Sequence, residues 1–313
     1  MPEISNITII GAGLMGHGIS QIFASRGYPV TLMDLNHDLL SSALKNIRSN
    51  LAVMADNNIG THSEIESVIS RIKTTTDMVE AIVKADFVVE AVSENLDLKQ
   101  KVFRELDSLS RHDTILATNT SVISITEIAS KSKFRERIVG THFWNPPYLI
   151  PLVEVVRGDN TSDETMDKAF SLLKSVGKHP VRVNRDVPGF VANRLQHALW
   201  REAISIVEKG IADAATVDEC VKYGFGLRLP VLAPMENADM VGTDLTFAIH
   251  DYILKHLENS PAPSPLLKKM VEEGNLGFKS GRGFQEWPSE KAEESRKRLQ
   301  KYLLGVIKEG DQL

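Results

Sequence analysis

Over the first half of the chain, short and mostly apolar runs alternate with longer stretches whose apolar residues recur at helical spacing. The runs occupy 7–10, 30–34, 87–91, 114–118, 138–142 and 152–156. They are rich in β-branched residues and show little polar alternation, as strands do when both faces are covered. This predicts a mostly parallel, doubly wound sheet. Between the runs, 14–26, 38–54, 63–71, 96–109 and 162–176 keep a helical period. From about Pro188 the pattern changes. Val191, Leu195, Ala198, Leu199, Ala203 and Ile206 fall on one helical stripe within 189–209, and no strand-like run of similar quality follows. The expectation is an α/β domain over 1–187 and a mostly helical domain over 188–313, hinged at Asp186-Val187-Pro188-Gly189. The charged last segment, 288–313, still gathers Leu299, Tyr302, Leu303, Val306 and Ile307 on one face. That face suits packing on its own domain, or a dimer contact.

Composition narrows the picture. With 42% hydrophobic and 25% charged residues over 313 positions, the chain is an ordinary globular protein of two domains. A formal net charge of −5 without a long basic run argues against nucleic acid. No apolar stretch is long enough to span a bilayer, and the amino terminus lacks a basic leader, so a cytoplasmic protein with its whole chain mature is expected. The single cysteine, Cys220, can form no intramolecular disulfide and builds no Cys-based metal site. It is expected to be a small buried apolar residue.

The first run leads directly into Gly11-Ala12-Gly13-Leu14-Met15-Gly16 at the start of a helical stretch. In such a turn Gly11 permits the tight bend, Gly13 lets backbone approach a pyrophosphate, and Gly16 lets helix and strand pack closely. The helix amino terminus offers free N–H groups to the phosphates. The second run ends in Asp34, placed to accept the ribose hydroxyls of NAD and to repel the 2′-phosphate of NADP. Leu35, Asn36 and His37 supply no arginine for that phosphate. NAD is the expected cofactor. A helix-capping glycine turn would leave Asp34 unexplained.

Two further residues suggest acid–base chemistry without a metal. His142 ends a run at the side of a parallel sheet where ligands bind. Glu154 interrupts the apolar run Leu152-Val153-Glu154-Val155-Val156, and a buried carboxylate needs a partner. Paired with Glu154, His142 keeps one ring nitrogen free to take a proton from a substrate hydroxyl as hydride leaves the same carbon. A purely structural ion pair is the alternative.

Together these residues resemble the L-3-hydroxyacyl-CoA dehydrogenase family. The resemblance is carried by Gly11 to Gly18, Glu90-Ala91-Val92-Ser93-Glu94, Ala117-Thr118-Asn119-Thr120-Ser121, Gly140 to Pro146, Leu152 to Arg157, Val187 to Arg194 and Leu276 to Phe284. It implies a Rossmann-type domain, a helical dimerisation domain and an active site in the cleft between them. It also implies a homodimer and a place in fatty acid metabolism. His142 would be the catalytic base or acid and Glu154 its orienter. Ser121 and Asn193 would be polar partners of the substrate oxygens, and Asn145 would hold the geometry of histidine and substrate. Glu94, Lys99 and Lys279 fall at cofactor-side positions. From the residues alone, Ser121 is equally a turn former and Asn193 a helix-start amide.

One stretch departs from the family pattern. Where acyl-CoA-using members carry lysines, Ser49 to His62 contains no Lys or Arg, and Asp56-Asn57-Asn58 replaces the basic cluster. The anchor for a phosphorylated carrier is missing. Asn145 to Pro151 and Leu227 to Met235 look like the branch that acts on small hydroxy acids or hydroxymethyl aromatics, such as carnitine, gulonate and pyridine-carboxylate dehydrogenases. Arg228, Arg182 and Arg185 are the candidate cations for a free carboxylate. His17, unusual at its position, is read as a first-turn residue without a role. The expected function is NAD-dependent interconversion of a 3-hydroxy and a 3-keto group on an acyl-CoA or a smaller acid. The alternative of another class is an NAD-binding structural protein without turnover, as in lens crystallins.

Overall fold

The computed structural model describes residues 4–309. Eight strands alternate with helices: β1 (Ile7–Ile10), β2 (Val30–Met33), β3 (Ile72–Thr75), β4 (Phe87–Glu90), β5 (Ile115–Thr118), β6 (Ile138–Phe143), β7 (Leu152–Val156) and β8 (His179–Val183). The helices around them are α1 (Leu14–Ser25), α2 (His37–Asp56), α3 (Ile65–Ile69), α4 (Met78–Ile82), α5 (Leu96–Leu109), α6 (Ile125–Ala129) and α7 (Asp163–Ser175). The sheet order is β3-β2-β1-β4-β5-β6-β7-β8, and every pairing is parallel except β6 with β7. This is the expected doubly wound α/β fold, with two strands that the hydrophobic pattern does not announce. β3 and β8 are the sheet edges, where one side of a strand is only partly covered. β3 carries Lys73 and β8 carries His179, Pro180 and Arg182, and an edge tolerates the proline because no neighbour there needs its N–H.

Two apolar layers cover the sheet. Ile7 and Ile9 of β1 point to the layer of α1, α2 and α7, with Phe23, Ile47 and Leu173, while Ile10 belongs to the opposite layer with Phe103, Leu106 and Ile128. The period of two along the strand sets this division. Most helices begin on a side-chain cap: Asn36 for α2, Asp77 for α4, Asn95 for α5 and Ser162 for α7. α1 is different. Its cap is Gly13, which has no side chain to occupy the first amides.

The described chain divides into two compact units, residues 4–193 with 301–309, and Arg194–Gln300. Residues 191–193 go with the first unit in this division, being hydrogen-bonded to it through Glu154 and Ser121. The second unit is helical: most of α8 (Ala192–Glu208), then α9 (Ala214–Tyr223), α10 (Pro234–Val241), α11 (Thr243–Ile253), α12 (Pro265–Glu272) and the start of α13 (Ser289–Glu309). Within it only Ser205 and Ala292 are buried. Cys220, expected inside, is exposed on α9, whose residues have no interior to enter. No helix among the described residues is long and apolar enough to cross a membrane.

Between β6 and β7 the chain makes an irregular loop over Trp144 to Pro151. Lys178, just before β8, fastens it by donating to Pro147 O at 2.5 Å and Ile150 O at 3.0 Å. Burial, with a smaller contribution from Arg26, lowers the pKa of this ammonium to about 8.

Candidate active site

The loop after β1 has the shape that a dinucleotide pyrophosphate requires. Gly11 has φ +103°, and a Cβ there would lie 2.7 Å from Ala91 O. A Cβ on Gly16 would lie 1.7 Å from Gly11 O, so only glycine lets α1 turn so tightly against β1. At Gly13 a Cβ would meet nothing within 4 Å; the space beside it is open, next to the uncapped amides of α1, Leu14 and Met15. Asp34, beyond the end of β2, accepts from Ala12 N at 2.7 Å and Leu35 N at 2.7 Å, which fixes a carboxylate beside the turn. An open cradle, free N–H donors and a fixed carboxylate fit NAD.

His142 and Glu154 face each other across the antiparallel β6–β7 pair, in direct register. His142 Nδ1 lies 2.8 Å from Glu154 Oε2, and both side chains are buried. A carboxylate only accepts, so Nδ1 carries a proton, and in the neutral ring Nε2 has the lone pair. No described residue hydrogen-bonds that Nε2. The rings of Trp144 and Phe190 flank the imidazole, with centroids at 5.3 and 5.6 Å. The other oxygen, Glu154 Oε1, accepts from Val191 N at 2.9 Å and Ala192 N at 3.1 Å, where α8 begins. Phe190 makes this possible by adopting φ 51°, a left-handed conformation costing on the order of 1 kcal/mol, directly after Gly189 at φ 76°. Burial pushes the Glu154 carboxyl up, but the bonds from His142, Ala192 and Val191 outweigh it and hold the pKa below the usual carboxylate range.

A second carboxylate organises the opposite side. Glu94 Oε1 accepts from Thr120 Oγ1 at 2.5 Å, Ser121 N at 2.9 Å and Val122 N at 3.1 Å. Desolvation raises its pKa, but these bonds and the charge of Lys99 bring it below the ordinary value. Asn193 joins the two sides by donating through Nδ2 to Ser121 O at 3.0 Å. The fold thus brings His142, Glu154, Asn193, Ser121 and Glu94 into one hydrogen-bonded chain. Asn119, which sequence reasoning passed over, belongs to it too, because its Oδ1 accepts from Phe143 N at 2.9 Å. Its only signal was its place between Thr118 and Thr120.

The remaining expected residues are Lys99, Lys279 and Asn145. Lys99 is not an open cofactor contact. Its side chain is 1% exposed, with Nζ 2.7 Å from Glu90 Oε1 and 3.4 Å from Glu94 Oε2, because a buried ammonium needs carboxylate partners. It acts on the site by holding Glu94. Lys279 belongs to the second unit, where it is exposed on the turn closed by Gly277 and Arg282. Asn145 is exposed in the loop after β6 and lines a cavity of about 340 Å³ with Leu14, His17, Asn50, Pro147 and Tyr148. Of the candidate cations for a carboxylate within the first unit, Arg182 pairs with Asp167 at 2.7 Å and Arg185 lines a separate cavity with Arg157; Arg228 belongs to the second unit.

Comparison with known proteins agrees with this geometry. Residues 6–187 match the family model "3-hydroxyacyl-CoA dehydrogenase, NAD binding domain", and residues 189–287 match the model of the C-terminal domain of the same enzymes. A probable 3-hydroxybutyryl-CoA dehydrogenase of Bacillus subtilis (strain 168) is 41% identical over 286 residues, covering 91% of this chain and 98% of that protein. The crystal structure of a 5-formyl-3-hydroxy-2-methylpyridine 4-carboxylic acid 5-dehydrogenase, an NAD+ dependent dismutase, superposes with a TM-score of 0.90 at 32% identity over 99% of both chains. For (S)-3-hydroxybutyryl-CoA dehydrogenase from Ralstonia eutropha the TM-score is 0.77 at 34% identity, over 92% of this chain and 100% of that one. NAD is the cofactor of this chain.

Glu154→Gln should be destabilising despite its equal size. One amide cannot accept on both sides, so either the Val191 and Ala192 amides or the His142 N–H meets an NH2 group. Urea unfolding should show a loss of about 2–3 kcal/mol; an unchanged midpoint would mean the two-sided bond is not formed.

Proposed function

Because the chain belongs to the 3-hydroxyacyl-CoA dehydrogenase family of NAD-dependent oxidoreductases, we propose that it interconverts a 3-hydroxyl and a 3-keto group with His142 as base in oxidation and acid in reduction. The observation that carries this reading is the buried His142–Glu154 pair, whose single free valence is the Nε2 lone pair. NAD, when bound, accepts the hydride in oxidation and in its reduced form returns it. The proton is the work of the protein. Nε2 takes it from the substrate hydroxyl, and the imidazolium that results is stabilised by Glu154, which remains a carboxylate. In reduction the same proton goes to the forming alkoxide. Ser121 and Asn193 hold the substrate oxygens, and Asn145 helps to hold the geometry of histidine and substrate. Asp34 selects NAD through the ribose, and the α1 amides receive the pyrophosphate.

A second reading concerns the substrate. On the family's own acyl-CoA substrates the enzyme would serve fatty acid metabolism. Two observations favour instead a small CoA-free hydroxy acid or hydroxymethyl aromatic carboxylate: the absence of Lys and Arg from Ser49 to His62, and the whole-chain superposition at a TM-score of 0.90 on a pyridine-carboxylate dehydrogenase.

A homodimer belongs to the same proposal. The second unit buries almost nothing of its own, and Leu227, Val231, Met235, Phe247 and Tyr252 are each at least 73% exposed. Apolar surface on that scale favours cover by a second copy. Light scattering at micromolar concentration should give the mass of two chains, and a single-chain mass would refute the dimer.

Steady-state NADH oxidation with acetoacetyl-CoA and a panel of free keto acids tests the chemistry. His142→Gln should lower kcat/KM by about 10³-fold or more and leave NADH binding intact. Wild-type turnover in that variant would remove His142 as the base. Tight NADH binding by the native protein without turnover of any substrate would favour the non-catalytic alternative.

A further inference from the structure

After β8 the chain runs through a linker, Asp186 to Asn193, before and into the first turn of α8. The far end of this linker is fixed to the site. The Phe190 ring lies against His142, the amides of Val191 and Ala192 reach Glu154 Oε1, and Asn193 Nδ2 reaches Ser121 O. Its near end is held by a carboxylate that the site does not otherwise use. Asp186 Oδ2 accepts from Ser124 Oγ at 2.6 Å and from Thr126 N at 2.7 Å, where α6 begins. Its other oxygen, Oδ1, is buried and meets no donor among the described residues, so the hold is through Oδ2 alone. Directly after Asp186, Phe190 N closes a turn on Val187 O at 3.0 Å.

The loop after β5 is the partner of this linker. Glu94 holds the loop by the amides of Ser121 and Val122, and Asp186 holds it further along at Ser124 and Thr126. Linker and loop are therefore joined twice, by Asn193 to Ser121 and by Asp186 to Ser124, with Glu154 gripping the linker and Glu94 the loop. A left-handed residue such as Phe190 persists only where its surroundings over-determine it, and this closed ring does so. Hydrogen bonds to a carboxylate are about twice as strong as those between neutral groups, which suits Asp186 to the task.

We infer that Asp186 is a positioning residue for the reaction at His142. It bonds neither His142 nor the residues assigned to the substrate. By clamping the start of the linker to the loop after β5, it sets the spacing of Ser121 and Asn193 across the substrate oxygens. The inference rests on the proposed reaction and adds to it a part that the substrate does not touch. Neither the glycine loop nor Asp34 bonds to Asp186, so NADH affinity is the internal control.

The test uses full-length Asp186→Ala and Asp186→Asn, at a temperature where urea unfolding shows each variant folded. NADH oxidation is followed with acetoacetyl-CoA and with the free keto acids. Asp186→Ala should lower kcat by about ten- to a hundredfold, the loss expected of a misplacement near one ångström, with the Kd for NADH within about threefold of native. Asp186→Asn keeps one oxygen for both donors and should recover much of that loss. Unchanged kcat in folded Asp186→Ala, a loss confined to KM, or a fall in NADH affinity as large as the fall in kcat would each overturn the role. Where Asp186→Ala does not fold, Ser124→Ala removes one of the two donors instead and should give a smaller loss of kcat; no loss there would overturn the role. Amide hydrogen exchange gives a readout independent of turnover. Val191 and Ala192 bond Glu154, so a carboxylate that only caps α6 would leave their exchange unchanged, whereas loss of the clamp should speed it by about tenfold in Asp186→Ala. Unchanged exchange there would overturn the clamp whatever the activity. Faster exchange, in a protein whose native form turns over no substrate, would overturn the reaction and keep the clamp.

Discussion

Both oxygens of Glu154 are held by donors from different parts of the chain, and the arrangement of the site follows from that. Oε2 takes the His142 N–H from the neighbouring strand, and Oε1 takes the amides of Val191 and Ala192 at the start of α8. A fully buried carboxylate is costly unless such donors surround it, so strand register, histidine tautomer and helix start are solved together or not at all. The left-handed Phe190 is part of the same solution, because only with that turn do two successive amides point at one oxygen. Through Asn193 and Ser121 the constraint reaches Glu94, and through Glu94 it reaches the buried Lys99.

This explains which parts of the site could be read from the sequence. Glu154 stood out because it breaks an apolar run, and the register of β6 and β7 places it opposite the histidine, as a buried carboxylate requires. The glycine loop and Asp34 could be read from spacing alone. Lys99 could not, because nothing in a one-dimensional pattern separates a lysine on a helix surface from one turned inward between two glutamates. Strands β3 and β8 were hidden for a related reason: edge strands are half solvated, so their polar residues erase the signal that buried strands give. The exposure of Cys220 reflects a helical unit with almost no interior, which no single helix pattern reveals.

His17 shows the limit from the other direction. In the sequence it was unusual at its position but suggested no role, since a histidine in a first turn is compatible with simple exposure. Burial and the bond to Gly13 O together set its environment, with Nδ1 donating to the carbonyl. The lysine-free stretch on α2 lies in the same place, because one wall of the cavity that His17 lines is α2.

The tautomer of His142 is the most direct test of this account. Nitrogen-15 NMR of histidine-labelled protein across a pH series, with His142→Gln used for assignment, should show that the neutral ring carries its proton on Nδ1, with a strongly downfield proton, and none on Nε2. A protonated Nε2 with a bare Nδ1 would contradict the Glu154 bond and, with it, the assignment of His142 as the base.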